Sequence, residues 1–442
     1  MKKDTKIGVV GLGFVGLTLS IASALKGIKV YGLEANEVTK KSIREGKAHF
    51  YEPGINNYLE NTLNKNFYVV DDFDKKEELD AIIITVGTPL LSDNITPNFE
   101  YIKKALGSIG KNVGKNTVII LRSTVAVGTT RQIVMPYLKE ILNADDDEFY
   151  VGFCPERTIE GRAINELFEL PQIISGNNSK ALELIEKVFR EINPFIVRAQ
   201  SIEAAELIKL FNNTYRDIQF SIGNYFNEIA QNYDINGISL IELANFGYPR
   251  SNIAKPGFVG GPCLSKDAHI LTSNLPDNKE KEFILNSRLY NEGLENKVLK
   301  WVDNNNLKDA KIAISGIAFK GHPATDDLRG SNQLNIAIKL RELGYKTNLH
   351  DYYVATDVMK SYTDNIGSNE IYDAALGSGM LLILNNNSQY SDIDLNKLNE
   401  IMVHPKLILD YWGVIENVGE SHKELKIATC GNMFISNDKR LS

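Results

Sequence analysis

The residue types best suited to covalent chemistry lie together in residues 257–267, which read Gly-Phe-Val-Gly-Gly-Pro-Cys-Leu-Ser-Lys-Asp. Glycines carry no side chain, so this loop lets a ligand approach the backbone closely. Cys263 ends the loop and precedes a helix predicted over residues 264–275, whose dipole favours a thiolate. Lys266 adds positive charge, and Asp267 lies one helical turn from Cys263, so it can face the same site. The pattern favours a cysteine nucleophile, the alternative being a buried structural cysteine in a tight turn.

The whole chain limits the classes of protein to consider. Its 442 residues are too many for one core, so two or three domains are expected. The content of 43% hydrophobic and 24% charged residues is ordinary for a globular protein, and the net charge of -7 disfavours a nucleic-acid partner. Cys154, Cys263 and Cys430 are far apart, and no histidine pair has metal-ligand spacing, so we expect neither a disulfide framework nor a metal.

The uncharged run over residues 7–25 follows Lys2 and Lys3 and so resembles a signal peptide. Three glycines at a set spacing inside the run argue against a signal peptide. No other stretch is long enough to span a membrane. We therefore expect no membrane partner, and the three scattered cysteines favour a protein of the reducing cytoplasm.

A dinucleotide-binding fingerprint occupies that uncharged run. A strand predicted over residues 6–10 leads into three spaced glycines, a helix follows over residues 17–26, and a second strand over residues 28–33 ends at Glu34. The first glycine makes the turn, the second lets a pyrophosphate approach, and the third packs helix on strand, the alternative being a chance flexible turn. An acid after the second strand accepts hydrogen bonds from ribose hydroxyls and disfavours NADP, so NAD is the predicted cofactor. The predicted cofactor-binding residues here are Gly11, Gly13, Phe14, Val15, Gly16 and Glu34.

Strands and helices continue to alternate beyond Glu34. Apolar strands are predicted over residues 80–86, 117–121, 149–153, 172–175 and 195–198. This alternation indicates a parallel sheet with helices on both faces, and ligands bind at the carboxyl ends of such strands. Ordinary turn chemistry explains Thr88 and Ser123 equally well. Candidate residues at or beyond those ends are Gly87, Thr88, Pro89, Ser123, Thr124, Glu156, Arg157 and Glu160.

A long helix is predicted from Ser201. Apolar or small residues recur along it at alternating spacings of four and three, which favours packing against another helix, including one from a second subunit. A polar stripe fits either a solvated face or a closed site in which a lysine stabilises an oxyanion. The apolar seam comprises Ala204, Ile208, Phe211, Tyr215, Ile218, Ile222, Tyr225 and Ile229, and the polar stripe comprises Glu206, Lys209, Asn213 and Asp217.

The remainder predicts a second α/β unit. Arg250 and Lys255 precede the cysteine loop and suit an anionic substrate, although a surface loop explains them nearly as well. Lys320, at a strand end, is a candidate for holding a nucleotide, although no Gly-x-Gly-x-x-Gly occurs here. Helical sequence runs over residues 280–303, a boundary is predicted at residues 304–309, and strands are predicted over residues 311–317, 345–350, 380–384 and 407–411.

Seven ordered segments resemble those of the UDP-glucose/GDP-mannose dehydrogenase family, over nearly the whole chain. The resemblance implies an α/β fold of two Rossmann-like, doubly wound domains joined by a long central helix that forms a homodimer. It also implies NAD-dependent oxidation of a sugar hydroxymethyl group to a carboxylate in two steps without release of the aldehyde. The matching segments are Gly11 to Gly16, Gly87-Thr88-Pro89, Ser123-Thr124-Val125, Pro155-Glu156 with Glu160-Gly161, Lys209 with Asn213, the loop to Cys263-Leu-Ser-Lys266-Asp267, and Phe319-Lys320 to Asp327-Leu-Arg329-Gly-Ser331.

The resemblance further implies roles for single residues. Cys263 resembles the nucleophile that forms a thiohemiacetal and then a thioester. Lys209 and Asp267 resemble the pair that stabilises oxyanions and orders water, with Asn213 as a polar partner near the oxyanion. Glu156 resembles the acid–base residue of thioester hydrolysis.

Other positions resemble ligand contacts. Phe319 and Lys320 resemble contacts to uridine diphosphate, Arg329 resembles a residue that reaches the cofactor from the other domain, and Arg250 resembles an arginine that reaches the sugar across the dimer. The chain departs from the family at Glu34, where aspartate is commoner and no arginine follows closely. The predicted substrate-binding residues are Glu156, Arg157, Lys209, Asn213, Arg250, Asn252, Lys255, Gly257, Gly260, Phe319 and Lys320.

The segment over residues 249–253 resembles the Pro-Arg-x-Asn-Ile of the UDP-N-acetylhexosamine members, whereas Pro262 and the Lys266-Asp267 pair are closer to glucose and mannose types. Because the arginine segment would face the sugar, we predict a UDP-N-acetylhexosamine (glucosamine or mannosamine) 6-dehydrogenase of surface polysaccharide synthesis. UDP-glucose or GDP-mannose is the alternative substrate. A 3-hydroxyacid-type dehydrogenase and an NAD-binding sensor are further alternatives. The predicted domains are residues 1–198 for NAD, 199–304 for the central helix and cysteine, and 305–442 for UDP.

Overall fold

The structure, a computed structural model, describes residues 5–73, 78–91, 98–109, 113–114, 116–145, 148–305, 310–416 and 424–435. The chain divides into two compact units, the first comprising residues 1–213 and 269–276 and the second residues 214–268 and 277–442. The predicted boundary at residues 304–309 lies partly outside the described residues. The division into three domains stays a prediction.

The first unit contains an eight-stranded sheet. In chain order its strands are β1 (Lys6–Val10), β2 (Lys29–Leu33), β3 (Phe67–Val70), β4 (Ala81–Ile84), β5 (Val118–Leu121), β6 (Tyr150–Phe153), β7 (Gln172–Gly176) and β8 (Ile196–Arg198). The spatial order is β3-β2-β1-β4-β5-β6-β7-β8, and neighbours are parallel except β6 and β7. Strand β4 reads Ala-Ile-Ile-Ile and is wholly buried, as expected of a parallel sheet covered on both faces.

Helices cover both faces of this sheet. Ile7 and Val9 of β1 belong to one apolar layer, whereas Val10 belongs to the layer on the other face. The predicted doubly wound α/β fold is therefore confirmed for the first unit. Its helices in the described residues are α1 (Phe14–Leu25), α2 (Glu37–Arg44), α3 (Ile55–Thr62), α4 (Glu100–Ile109), α5 (Met135–Leu142), α6 (Ala163–Glu169) and α7 (Ser179–Ile192), and a π-helical turn, Thr130–Val134, leads into α5.

One long helix, α8 (Ile202–Asn232), links the two units, as predicted. Its 31 residues include no proline, so the backbone hydrogen bonding of the helix is not interrupted. Four shorter helices follow: α9 (Gly237–Asn245), α10 (Gly261–Thr272), α11 (Lys279–Glu292) and α12 (Leu294–Asn304). Among the described residues, no helix has the length and apolar character that crossing a membrane requires.

Three of the predicted helices differ from the observed ones. Helix α1 begins at Phe14, before the predicted start at residue 17. Helix α10 begins at Gly261, before the predicted start at residue 264. Pro262 is tolerated there because the first turn of a helix needs no N–H from it. The helix predicted over residues 280–303 is two helices, because Gly293, a poor helix former, ends one and begins the next.

The second unit contains a six-stranded parallel sheet. Its strands are β9 (Lys311–Ser315), β10 (Thr347–His350), β11 (Gly367–Ser368), β12 (Ser378–Ile383), β13 (Leu407–Asp410) and β14 (Lys426–Ala428), in the spatial order β11-β10-β9-β12-β13-β14. The second Rossmann-like unit is therefore confirmed. Its remaining helices in the described residues are α13 (Asn332–Glu342), α14 (Thr356–Lys360), α15 (Ile371–Ala375) and α16 (Leu395–Ile401), with a 3₁₀ turn at Ser388–Asp392.

The segment over residues 424–435 completes the second unit. After β14, the Cys430 carbonyl accepts hydrogen bonds from Asn227 Nδ2 at 2.9 Å and Gln231 Nε2 at 3.0 Å, both on α8. The Gly237 N–H, at the start of α9, donates to the Gly431 carbonyl at 3.0 Å. The end of the described chain therefore holds α8 and α9 in place.

Candidate active site

The glycine loop after β1 has the geometry expected of a dinucleotide site. Gly11 has φ +89°, which only glycine adopts readily, and a Cβ on Gly16 would lie 1.8 Å from the Gly11 carbonyl oxygen. A Cβ on Gly13 would meet no atom within 4 Å, so this face of the loop is open. The first turn of α1, which includes Phe14 and Val15, follows directly. An open glycine at a helix N-terminus fits the pyrophosphate of a dinucleotide.

Glu34 is tied to the same loop. Its carboxylate accepts the Leu12 N–H at 2.7 Å and the Asn36 N–H at 2.8 Å. The side chain is only half-buried, so the carboxylate holds the loop while part of it faces solvent. This placement agrees with the predicted position of Glu34 at the end of β2.

The hydroxyls predicted at the next strand ends bind the protein's own backbone. Ser123 Oγ donates to the Val86 carbonyl at 2.6 Å, and Thr88 Oγ1 donates to the Thr124 carbonyl. These bonds join the ends of β4 and β5. They are the hydrogen bonds of an ordinary turn, which the sequence analysis gave as the alternative to ligand binding. Of the other candidates nearby, a Cβ on Gly87 would meet no atom within 4 Å, Pro89 is exposed, and Glu160 is half-buried.

Glu156 is buried against an arginine that the sequence analysis did not single out. Arg122 Nε and Nη2 lie 2.9 and 2.6 Å from Glu156 Oε2, and the N–H groups of Arg157 and Thr158 each donate to Oε1 at 2.7 Å. Burial raises the pKa of Glu156, but attraction to Arg122 and the hydrogen bond from Thr158 outweigh it, so the pKa lies below its ordinary value. Glu156 is therefore an ionised carboxylate held in one orientation.

The polar stripe of α8 is buried, which excludes a solvated face. Glu206, Lys209, Asn213 and Asp217 are each less than a tenth exposed. Glu206 serves the fold, since it accepts the N–H groups of Gly128 and Thr130 at 2.6 and 2.9 Å. No hydrogen bond or ion pair among the described residues involves the Lys209 ammonium, whose charge contributes to the low pKa of Glu156. The structure thus brings Lys209 and Glu156 together in the first unit.

In the second unit, Cys263 lies in the first turn of α10 and is exposed, whereas Cys154 and Cys430 are buried. The alternative of a buried structural cysteine is therefore wrong for Cys263. Lys266 Nζ lies 2.9 Å from Asp267 Oδ1. Burial lowers the pKa of Lys266, but attraction to Asp267 and to Cys263 outweighs it, so the pKa is raised. A protonated Lys266 thus acts electrostatically on the thiol.

The glycines of the cysteine loop serve protein packing rather than open space. A Cβ on Gly257 would lie 2.1 Å from the Trp412 ring, and one on Gly260 would lie 2.3 Å from the Gly330 carbonyl oxygen. Gly261 has φ +85°, and its N–H donates to the same Gly330 carbonyl at 2.9 Å. In the direction of an added side chain, the space at these glycines is therefore filled by the protein itself, and their contact with a substrate stays a prediction.

A buried polar network, absent from the sequence-based candidates, holds this loop. Arg288 lies 2.7 Å from Asp217 Oδ1 and donates to the carbonyls of Val259 and Leu264, each at 2.9 Å. Asn224 on α8 binds both the N–H and the carbonyl of Gly257, at 2.8 and 3.0 Å. The stripe residue Asp217 is therefore a counter-ion for Arg288.

The remaining substrate candidates lie on accessible segments of the second unit. Arg250 packs on the Tyr248 ring, 4.7 Å from its centroid. Arg329 is held by Asp327, with Nε at 3.0 and 2.9 Å from the two carboxylate oxygens. Lys320 lies 5.5 Å from the Phe319 ring centroid. Asn252 and Lys255 are exposed, as expected of a loop that meets a ligand or solvent.

Three family models match the chain in order. They are the UDP-glucose/GDP-mannose dehydrogenase NAD-binding domain over residues 5–193, the central domain over residues 203–292, and the UDP-binding domain over residues 313–417. The first of these agrees with the open glycine loop described above.

The chain is similar to curated relatives over most of its length. It is 34% identical to the UDP-N-acetyl-D-mannosamine dehydrogenase of Campylobacter jejuni over 77% of this chain and 84% of that protein. It is 30% identical to the protein of that name from Pyrococcus horikoshii, over 93% of this chain and 96% of that protein.

Solved structures of similar proteins have the same fold over nearly the whole chain. The UDP-D-ManNAc dehydrogenase of Pyrococcus horikoshii superposes with a TM-score of 0.85 at 28% identity, covering 98% of this chain and 100% of that chain. The UDP-N-acetyl-mannosamine dehydrogenase of Staphylococcus aureus superposes with a TM-score of 0.84 at 27% identity, covering 98% of this chain and 100% of that chain.

Proposed function

The chain belongs to the UDP-glucose/GDP-mannose dehydrogenase family and is an NAD-dependent nucleotide-sugar dehydrogenase, and we propose that it oxidises UDP-N-acetylmannosamine to the corresponding uronate. The observation that carries the choice of sugar is the similarity, over nearly the whole chain, to proteins named for that substrate. The segment over residues 249–253 supports an N-acetylated sugar, because a site that hydrogen-bonds an amide discriminates against sugars without it. UDP-N-acetylglucosamine, UDP-glucose and GDP-mannose are the alternatives.

The reaction needs two oxidations at one carbon and a means of holding the aldehyde between them. When bound, NAD would supply the hydride acceptor that each oxidation needs. Cys263 adds as a thiolate to the aldehyde carbon, and the carbonyl oxygen takes a proton to give a thiohemiacetal. Loss of a hydride from that carbon and of the hydroxyl proton gives a thioester. Water then attacks the thioester, the C–S bond breaks, and the carboxylate and the Cys263 thiolate are released together with two protons.

We assign roles in these steps to charged and polar residues of each unit. Lys209 is a buried cation without an ion pair among the described residues, so it is suited to stabilise an oxyanion, with Asn213 one turn away on α8. Glu156 is a poor base because its pKa is lowered, so we assign it the orientation of the attacking water as a hydrogen-bond acceptor. Asp267 balances the charge of Lys266 beside the nucleophile.

The cysteine mechanism predicts that Cys263→Ala abolishes the uronate, at least a thousandfold, while NAD binding and the unfolding midpoint are retained. The measurement is mass spectrometry of the acid product together with NADH yield, with two NADH per sugar expected from the unaltered protein. Cys154→Ala, which removes a buried thiol, is the matched control and should still make acid.

Uronate production by Cys263→Ala at the unaltered rate would overturn the mechanism. One NADH per molecule would favour a hydroxyacid-type dehydrogenase, and none with any nucleotide sugar would favour a binding protein. The sugar is tested by kcat/KM, and a higher value for UDP-glucose than for UDP-N-acetylmannosamine would overturn that assignment.

We also propose that the chain forms a homodimer through α8. The seam predicted from the sequence is uncovered in the single chain: Phe211, Tyr215 and Tyr225 are 56%, 62% and 53% exposed. Burial of such rings is worth several kcal/mol, roughly 2 kcal/mol each. Light scattering at micromolar concentration should show a dimer, which Tyr225→Asp should weaken and Leu343→Asp, at an exposed residue after α13, should not. A monomeric unaltered protein would refute the proposal.

A further inference from the structure

Arg288 is among the largest fully buried side chains of the described residues, at 1% exposure, and apart from an ion pair with Glu292 on its own helix its bonds go to the cysteine loop and α8. Its guanidinium donates to the carbonyl of Val259 and to that of Leu264, each at 2.9 Å. These two carbonyls stand on either side of Cys263 in the chain. One rigid side chain therefore fixes both ends of the segment that carries the thiol.

The charge of Arg288 is balanced from α8. Asp217 Oδ1 lies 2.7 Å from Arg288 Nη1, and Asn291 Nδ2 donates to Asp217 Oδ1 and to the Asp217 carbonyl, each at 2.9 Å. Glu292 Oε1 lies 3.2 Å from Arg288 Nε. A buried charge is tolerated only when it is paired and hydrogen-bonded in this way.

The geometry depends on the shape of the guanidinium. Its planar fork presents several donors at fixed angles, whereas an ammonium is a single point charge on a flexible stem. A lysine at position 288 could keep the ion pair with Asp217 but could not reach both carbonyls in the same fixed geometry. The requirement is therefore for arginine and not simply for a cation.

We propose that Arg288 is a positioning residue of the dehydrogenase reaction, holding the first turn of α10 so that Cys263 stays aligned beside Lys266. This inference rests on the proposed function, because it concerns the same nucleophile. Without the Arg288 guanidinium, the first turn of α10 is held less firmly. Cys263 then lies less regularly beside Lys266 and the helix N-terminus, so these positive charges stabilise its thiolate less.

The test compares Arg288→Lys with Lys297→Met. Lys297 is the matched control because it is also ion-paired in the second unit, 2.6 Å from Glu228, but lies on α12 and makes no bond to residues 257–267 among the described contacts. The first measurement is the rate of iodoacetamide alkylation of Cys263 without substrate, at pH 7 and at pH 10. Cys154 and Cys430 are buried, so the rate reports on Cys263.

Arg288→Lys should be alkylated at least fivefold more slowly at pH 7 and at the unaltered rate at pH 10, where exposed thiols are ionised in any case. Its kcat should fall at least tenfold with an unchanged KM for NAD. Lys297→Met should stay within twofold of the unaltered protein in both measurements. A variant that is only less stable, with an unchanged Cys263, would not be alkylated more slowly at pH 7 and at the unaltered rate at pH 10.

Unchanged alkylation and kcat in Arg288→Lys, or equal losses in both variants, would overturn the proposal. If Arg288→Lys does not fold, the double variant Asp217→Asn with Arg288→Gln removes the ion pair without leaving a lone buried charge, and it should show the same loss at pH 7. Should the unaltered protein oxidise no nucleotide sugar, the proposed function fails, while the alkylation rates still decide the role of Arg288.

Discussion

The carboxyl edges of the two parallel sheets share one local arrangement. In the first unit, Glu34 follows β2 and accepts the N–H of Leu12, in the loop after β1, at 2.7 Å. In the second, Asp351 follows β10 and accepts the N–H of Ala318, in the loop after β9, at 3.0 Å. Each carboxylate also accepts the N–H two residues farther along its own chain, at 2.8 and 2.9 Å respectively. A carboxylate thus ties the first two strand ends together in both sheets.

The two edges differ in how deeply this carboxylate is buried. The glycines at equivalent positions, Gly11 and Gly316, have similar surroundings, because a Cβ would lie 3.0 Å from Val86 and 2.6 Å from Asn385 respectively. Glu34, however, is half-buried, whereas Asp351 is 2% exposed. The same local arrangement therefore leaves the carboxylate partly open to solvent in one unit and buried in the other. A fold supplies the position of a site, and the side chains around it decide whether a ligand can enter.

Gly13→Val is the strongest test of the glycine loop after β1. The added Cβ would meet no protein atom within 4 Å, so the fold should be unaffected, but the side chain occupies the space predicted for the pyrophosphate. We expect NAD affinity to fall about a hundredfold, or about 3 kcal/mol, with an unchanged unfolding midpoint. Calorimetric titration with NAD and thermal unfolding provide the two measurements. Wild-type NAD affinity in this variant would show that the open face is not the cofactor site.

Gly316→Ala tests the corresponding edge of the second sheet and should have the opposite result. Gly316 has φ +77° and its Cβ would press on Asn385, so strain and overpacking should lower the free energy of unfolding by about 2 kcal/mol. NAD affinity should stay the same. Denaturant unfolding measures the loss, and Gly344→Ala, also at positive φ but with open space around it, is the control that isolates the packing contribution.

The edge of the second sheet should also respond to acid. His350, the last residue of β10, is buried and bonded to Ser315 Oγ at 2.6 Å, and burial lowers its pKa to about 3. In the unfolded chain its pKa is about 6.5, so below that pH the unfolded state binds a proton that the folded state does not. Stability conferred by the neutral imidazole is therefore complete above pH 6.5 and is lost as the pH falls toward 3.

Between pH 7.5 and 5.5 this effect should lower the free energy of unfolding by about 1 kcal/mol. His350→Asn should remove that part of the slope, which urea unfolding at the two pH values would detect. The pKa of the neighbouring Asp351 is raised by burial and works in the opposite direction, so the comparison of the two proteins isolates the histidine. An equal slope in both would contradict the prediction.

The sequence predicted the elements that depend on local patterns. Glycine spacing and apolar runs placed the first glycine loop, the long helix and every strand except β3, β11 and β14, because periodicity and turn chemistry depend on neighbouring residues. The position of Cys263 near a helix start was also predictable. The predicted start was three residues late because Pro262 looked like part of the preceding loop.

The side-chain partners of the site could not be predicted, because they come from distant parts of the chain. Arg122 reaches Glu156 across 34 residues, and Arg288 reaches Asp217 across 71. A charged residue immediately after the buried strand β5 was a signal for Arg122 that could have been used. For the glycines of the cysteine loop, a single sequence does not distinguish space for a ligand from space for Trp412.

The attachment of residues 424–435 to α8 has a consequence for how the chain is made. The Cys430 carbonyl binds Asn227 across 203 residues, and β14 joins the sheet last. A growing chain therefore carries α8 without this partner until residue 430 has been synthesised, since the ribosome adds residues in order. Contacts of such long separation form slowly. Translation products that stop before residue 430 therefore lack the contact between this segment and α8.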